Sequence, residues 1–331
     1  MIRRLTLRIL FSIRKMKTAF KIIGFICILG GLYFYVHIAQ YLDLGQTFHP
    51  INADTCKRLD TPEGPEDIIW IGDYALSVVD DRLDLFEFNN VNTTYMGDII
   101  LITPYPLSFR NLPIVDYPEE DNFHPHGMYL HDNKTLFVIN HGFNKGGERI
   151  DIMQVHFKPS IHIKYKRSIT FPDKFMGVLQ DLVAVSREEF FITQNRPCPD
   201  DKHHGRDHSL SSWIHNTFYH AFMDETHLHY CKDNFGVADC HEEVISGGKL
   251  SGIGTDGEEL FVNDAARKEV KRYSVGLKHE RHIELIETIP LPRACHNIEY
   301  DPGSGNFYLG SIGNQAKTQE YLHLAREKGQ R

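Results

Sequence analysis

The chain has 331 residues, 41% hydrophobic and 24% charged, with a net charge of −8. The first 21 positions hold seven basic residues and no acid, so the remainder is markedly acidic. An acidic body argues against nucleic acid as a partner, and the length suits one long all-β domain.

Ile22 to Ile38 is apolar, with no Asp, Glu, Lys or Arg. Extended through Ala19 and Leu42, it reaches the roughly 20 residues needed to cross a bilayer. A cleaved signal peptide is the competing reading. Against it, the preceding basic region is long and no small-x-small site follows cleanly. Tyr33, Phe34, Tyr35 and Tyr41 suit an interfacial belt, and the basic flank puts the N-terminus in the cytosol. The expected order is a cytosolic basic tail at 1–21, a signal anchor at 22–42 and a stem at 43–64. Beyond them lies a luminal or extracellular domain. This describes a single-pass type II membrane protein of the endoplasmic reticulum or cell surface.

Cys27 lies in the span; Cys56, Cys198, Cys231, Cys240 and Cys295 lie beyond it, without a CxxC or other zinc spacing. An oxidising compartment favours pairing among the five, an odd number whose connectivity stays open. Asn92-Thr-Thr and Asn133-Lys-Thr are glycosylation sequons that fit a luminal domain.

Short candidate strands then follow one another. Residues 68–71, 74–79 and 98–102 come first, then a loop carrying Pro104, Pro106, Pro113 and Pro118. The stretch 122–141 reads as two strands joined by a turn at Asp132-Asn133. It places His126 and His141 at comparable heights in one sheet. In a chain with 20 His, such a pair taken alone is more simply structural than catalytic.

A phrase of turn plus short strand with an early aromatic recurs at Lys134, Glu188, Glu258 and Asn306. Each copy follows another strand-plus-turn element, and the copies recur at irregular intervals of tens of residues. With the unit at Glu66 there are five, the pattern a β-propeller produces. The innermost strand of each blade starts at the central tunnel. The converging positions are therefore Glu66-Asp67, His126, Gln180-Asp181, Ser251 and His296-Asn297. Oxygen-bearing side chains meeting there suit a hard cation such as calcium. The insert 200–231 is rich in His, but no spacing fixes a single metal-binding face. Its aromatic middle, Trp213 to Met223, has the makings of an amphipathic helix over the domain or on the membrane.

Six stretches stand in one order: Gly64-Pro-Glu-Asp67, Phe123-His-Pro-His-Gly127, Val138-Ile-Asn-His141, Asp181-Leu-Val-Ala-Val185 with Phe190, Ser251-Gly-Ile253 with Asp256-Gly257, and His296-Asn-Ile298 with Asp301-Pro302. In these the chain resembles the paraoxonase family of calcium-dependent lactonases and arylesterases, over roughly 56–314. The resemblance implies an all-β, six-bladed propeller at 65–314 with two calcium ions in the tunnel. It places the catalytic ion at Glu66, Gln180, Ser251, His296 and Asn297. The structural ion falls to Asp67, Asp181 and the main-chain carbonyl of Met128. The resemblance makes His126 the general base for the attacking water and His141 its tuning partner.

Departures from the pattern matter as much. At Gln180 and Ser251 the enzymes have asparagine, and at His296 aspartate. Ser251 is too short to reach as the amide did, and His296 replaces a carboxylate with a nitrogen, a poor ligand for a hard cation. One structural calcium is therefore expected, with a weakened catalytic ion. After Asn314 the pattern stops at a polar tail, 315–331. The enzymes continue for about one more blade and end in a cysteine that pairs with the position of Cys56.

The basic tail, anchor and altered ligands resemble the membrane-anchored nematode branch of the family. This implies an accessory or chaperone protein in channel assembly, with a channel subunit or other membrane protein as partner. The alternative is a calcium-dependent arylesterase or lactonase acting on small esters or lactones through His126 and His141. A propeller with neither client nor substrate is the third reading.

Overall fold

The computed structural model describes residues 2–49, 53–62, 64–82, 96–118, 122–142, 147–172, 177–197, 209–275 and 283–328. A 40-residue helix, α1 (Ile2–Tyr41), leads the chain. Its segment Phe20–Tyr41 is 22 residues long, apolar and exposed, long enough to cross a membrane.

Four antiparallel strands come next: β1 (Pro65–Ile71), β2 (Tyr74–Val79), β3 (Asp98–Pro104) and β4 (Leu107–Asn111). After the short β5 (Ile114–Val115), a second unit runs β6 (Pro125–His131), β7 (Thr135–Gly142), β8 (Gly147–His156) and β9 (His162–Thr170). The third unit has β10 (Val178–Ala184) and β11 (Glu189–Arg196), then helix α2 (Leu210–Phe222), then β12 (Thr226–Asn234) and β13 (Val237–Gly247). A parallel pair, Val237 with Thr170, joins the second and third units into one sheet. The fourth comprises β14 (Leu250–Thr255), β15 (Glu259–Asp264), β16 (Glu269–Val275) and β17 (Ile283–Pro290). The last is the hairpin of β18 (Cys295–Asp301) and β19 (Asn306–Ser311), followed by α3 (Gln315–Lys328).

The first strand of each unit touches its counterparts in the units on either side. β1 meets β6, β6 meets β10, β10 meets β14, β14 meets β18, and β18 returns to β1. Five inner strands thus form a closed ring with the sheets radiating from it, the arrangement of a propeller.

Between successive sheets lies the core. On β7, Leu136 and Val138 pack toward the first sheet with Ile69, Val78 and Met128. Phe137 and Ile139 turn to the third sheet, against Leu182 and Phe190. Side chains alternate across a strand, so one buried on both faces must be apolar throughout. That explains the unbroken run 136–139. Phe137 is fully buried, and truncating such a ring costs about 3–5 kcal/mol. Val183, Phe191, Ile253 and Val262 fill the next space, between the third and fourth sheets.

The Asp132-Asn133 turn is present: both central residues have positive φ (51° and 54°), and the Lys134 amide donates to the His131 carbonyl at 3.1 Å to close it. Asn133 is exposed there, while Asn92 lies outside the described residues. The aromatic middle of the insert is helical: α2 starts at the Ser209 cap, whose Oγ accepts from the Ser212 amide at 3.1 Å. Phe222 of α2 stacks on Phe34 of α1 with ring centroids 4.9 Å apart, and His37 lies 5.4 Å from the same ring. Cys231 and Cys240 form a disulfide across the β12–β13 pair; Cys198 lies outside the described residues.

Defined structure extends into the expected stem and tail. Asp43 is fully buried where α1 ends. It pairs with the Lys268 ammonium, and its main-chain carbonyl accepts from the Asn314 amide at 3.0 Å. Residues 315–328 are helical, because Gln, Ala, Lys, Glu, Leu and Arg are good helix formers whatever their polarity.

Candidate functional site

All five inner strands carry a register shift, and each falls at the residues singled out from sequence. The shifts lie between Pro65 and Ile68, Pro125 and Met128, Leu179 and Leu182, Leu250 and Ile253, and Cys295 and Asn297. A β-bulge bends its strand and re-aims side chains that regular pairing would leave on a sheet face. Thus Glu66, Asp67, His126, Gln180, Asp181, Ser251, His296 and Asn297 all sit at irregular points of the ring, with Met128 closing the bulge on β6.

Two glycines permit the close approach of the strands. A Cβ on Gly127 would lie 2.4 Å from the Gln180 carbonyl oxygen, and one on Gly252 would lie 2.6 Å from the Asn297 Cα. Neighbouring inner strands meet backbone to backbone at these points.

On one side of the ring Glu66 gathers its neighbours. Its carboxylate lies 3.4 Å from Arg82 Nε, accepts from Gln180 Nε2 at 3.2 Å and stands 3.6 Å from His126 Nε2. Arg82 also donates to the carbonyls of Gly64 and Pro125, at 3.0 and 2.9 Å, tying the starts of β1 and β6 together. The Gln180 side-chain oxygen accepts from Asn195. Ser251 is fully buried, and its hydroxyl donates to the Cys295 carbonyl at 3.0 Å. Burial pushes the His296 imidazole down to about 3, with help from the nearby Lys249 charge, so the ring is neutral. His296 Nε2 is buried, with no hydrogen-bond partner among the described residues.

Deeper in the ring lie the acids. Asp67 accepts from the Met128 amide at 2.8 Å and the Ile68 amide at 2.9 Å. Asp181 accepts from the amides of Ile253 at 2.9 Å and Leu182 at 2.8 Å. Burial raises both carboxyls well above the usual range, the charges of Glu66 on Asp67 and of Asp67 on Asp181 adding to it. Glu299, not expected from sequence, faces the same interior. Burial, reinforced by Asp67, pushes it up to about 9. Among the described residues no three His, Cys, Asp or Glu side chains cluster as metal ligands do. The expected sets draw their other donors from amide, hydroxyl and main-chain oxygens.

The histidine pair is in contact: the His126 and His141 ring centroids are 4.6 Å apart, edge to face. His126 Nδ1 lies 3.0 Å from the Gln180 carbonyl oxygen, which can only accept, so that nitrogen carries the hydrogen. Behind His141 stands Glu148, its oxygens 2.7 and 2.8 Å from Nδ1. Glu148 was not among the residues expected from sequence. The register of β7 on β8 pairs His141 with Glu148.

The family model for arylesterases matches residues 51–323. A comparison with curated proteins finds no match. Similar solved structures include the periplasmic gluconolactonase PpgL of Pseudomonas aeruginosa, at 12% identity and a TM-score of 0.41, covering 76% of this chain and 79% of that one. A nidogen/laminin complex shows 11% identity and a TM-score of 0.41, over 72% of this chain and 69% of that one. A luciferin-regenerating enzyme shows 10% and 0.39, over 80% and 73%. The chain spans 62% of the length of a further solved structure, from Bacteroides uniformis. Likenesses this distant say nothing of substrate. The family match is of another kind: it runs through every strand from β1 to β19 and every bulge of the ring, and this chain belongs to the arylesterase family.

Proposed function

We propose that this is a membrane-anchored arylesterase-family protein that holds one calcium ion tightly and hydrolyses esters poorly, serving as an accessory protein in the assembly of membrane channel subunits. Asp67, Asp181 and the Met128 carbonyl would hold that ion. The donor set suits a hard cation: two buried carboxyls, with Glu299 near them, are strained toward protonation when nothing neutralises them. The ion would supply structure there, by cancelling that charge and tying β1, β6 and β10 together.

A second ion at Glu66, Gln180, Ser251, His296 and Asn297 fits badly. The observation that carries this reading is His296, a neutral imidazole in the field of Lys249. With Glu66 as the single carboxylate, already facing Arg82, the set lacks charge for a divalent ion. Topology supports the accessory role: a helix long and apolar enough to cross a membrane precedes the ring, and an exposed sequon at Asn133 suits the lumen.

One observation favours the hydrolase instead. His126 and His141 keep the contact a general-base pair requires, with a carboxylate behind His141. The deciding experiment is turnover of phenyl acetate and γ-lactones by the full chain in detergent, with calcium. Rates near the uncatalysed background are expected. Calcium-dependent turnover above about 1 per second, in the ordinary enzyme range, would establish the hydrolase.

A further inference from the structure

We propose that Glu148 is a positioning residue for the histidine pair, fixing the ring orientation and tautomer of His141. The proposal rests on the hydrolase reading only where it concerns turnover; the positioning itself rests on geometry. His141 and Glu148 face each other across the β7–β8 hairpin, 1% and 6% exposed in the order named. Both Glu148 oxygens lie within hydrogen-bond distance of one ring nitrogen, Nδ1. A carboxylate only accepts, so Nδ1 carries the hydrogen and Nε2 is left as the basic nitrogen of the ring.

The same logic holds for His126, whose Nδ1 donates to the Gln180 carbonyl and whose Nε2 faces Glu66. Both rings are thereby held in one tautomer, each by an acceptor on Nδ1. They differ in that acceptor: a neutral carbonyl orients His126, whereas a charged carboxylate orients His141. A charge-assisted hydrogen bond is shorter and about twice as strong as a neutral one. Glu148 therefore stands third in a line of carboxylate, histidine and histidine that ends beside Glu66. It touches no reacting atom and works through His141. None of the motifs that run in order along the chain contains it.

The test uses the full chain in detergent micelles, labelled with 15N-histidine. The His141 signal is identified by its loss in His141→Asn. Nitrogen shifts report the tautomer directly, and global packing does not set them. In the unmodified protein His141 is expected with hydrogen on Nδ1. In Glu148→Ala it is expected to shift to a mixture dominated by hydrogen on Nε2, the form the neutral side chain of free histidine prefers. A Glu148→Ala chain that keeps its circular dichroism and its Nδ1–H signal overturns the proposal. Glu148→Ala removes a buried side chain, so Glu148→Gln is measured beside it. Its amide oxygen still accepts, so it should keep the tautomer while losing the charge. Loss of the tautomer in folded Glu148→Gln also overturns the proposal. Phenyl acetate turnover is a separate arm. If the unmodified chain is active, Glu148→Ala should lower kcat up to about 100-fold with little change in KM. If the unmodified chain is inactive, the hydrolase reading fails and the tautomer result still decides the role of Glu148.

Discussion

The Asn297 side-chain amide donates to the Glu66 carbonyl at 2.8 Å and lies 3.4 Å from the Asp67 carboxylate, although 231 residues separate Asn297 from Glu66. This joint closes the ring between its first and last inner strands. Neighbouring units elsewhere follow one another along the chain, so their contacts cost little loop entropy. The β18–β1 contact must be made across nearly the whole domain.

Asn297→Ala removes both hydrogen bonds and leaves a half-buried carbonyl with one partner fewer. A loss of about 1–3 kcal/mol is expected. Urea denaturation of the full chain in detergent measures it. An unchanged midpoint would show that apolar packing of β18 on β14 holds the ring shut without the amide.

Gly127→Ala tests the backbone approach. The added methyl carbon would lie 2.4 Å from the Gln180 carbonyl oxygen and 2.7 Å from the Asp181 Cα, both backbone atoms that cannot swing aside. Overpacking of this kind costs about 1–3 kcal/mol or more. Gly313→Ala, where nothing lies within 4 Å, is the matched control and should stay within about 0.5 kcal/mol. Equal midpoints for the two variants would mean that β6 and β10 stand further apart.

The hairpin at 122–141 and the ring positions were legible because two local signals coincide there. Alternation and turn chemistry mark the strands, and polar residues interrupt otherwise apolar strand starts. The bulges make sense of those interruptions, since polar residues on a regular inner strand would be buried in a sheet-to-sheet core. Glu148 and Glu299 were less visible. Glu148 is the second residue of β8 and Glu299 lies within β18; an acid in a strand ordinarily faces solvent, and only register or ring geometry turns these two inward. Asp43 was hidden for a related reason, because its partners Lys268 and Asn314 are more than 200 residues away. Polarity marks 315–331 as a charged tail and says nothing of its helix, since polarity distinguishes exposed from buried and not helix from coil.

The buried acids predict a pH dependence with a definite sign. Burial raises Glu299 from its ordinary 4.5 to about 9 in the folded chain, and Asp67 and Asp181 shift the same way. The folded state then binds more protons than the unfolded one between those limits. Stability without metal is full below about pH 4.5 as far as these groups go, and is lost as pH rises toward 9. Thermal denaturation in EGTA should therefore give a higher Tm at pH 5.5 than at pH 8.5. Calcium should raise the Tm at pH 8.5 more than at pH 5.5, since it binds the ionised form. Glu299→Gln should flatten the EGTA profile. A Tm that rises with pH in EGTA would count against three protonated acids in the ring.

The strongest test of the altered upper site is restoration. His296→Asp replaces a neutral imidazole with a carboxylate, and Ser251→Asn replaces a hydroxyl committed to the Cys295 carbonyl with an amide of longer reach. Together they would give the set a second negative charge and another oxygen donor, which a hard divalent ion requires. Calorimetric titration should then read two calcium ions per chain in the double variant against one in the parent. Phenyl acetate turnover should rise at least about tenfold, corresponding to about 1.4 kcal/mol of transition-state stabilisation. Ser251→Asn alone should do neither, because charge is what the site lacks. Two tight sites in the parent would show that His296 does not weaken the upper ion. A double variant that binds the second ion without gaining turnover would separate metal binding from catalysis, and would shift attention to the histidine pair and to how Glu148 orients His141.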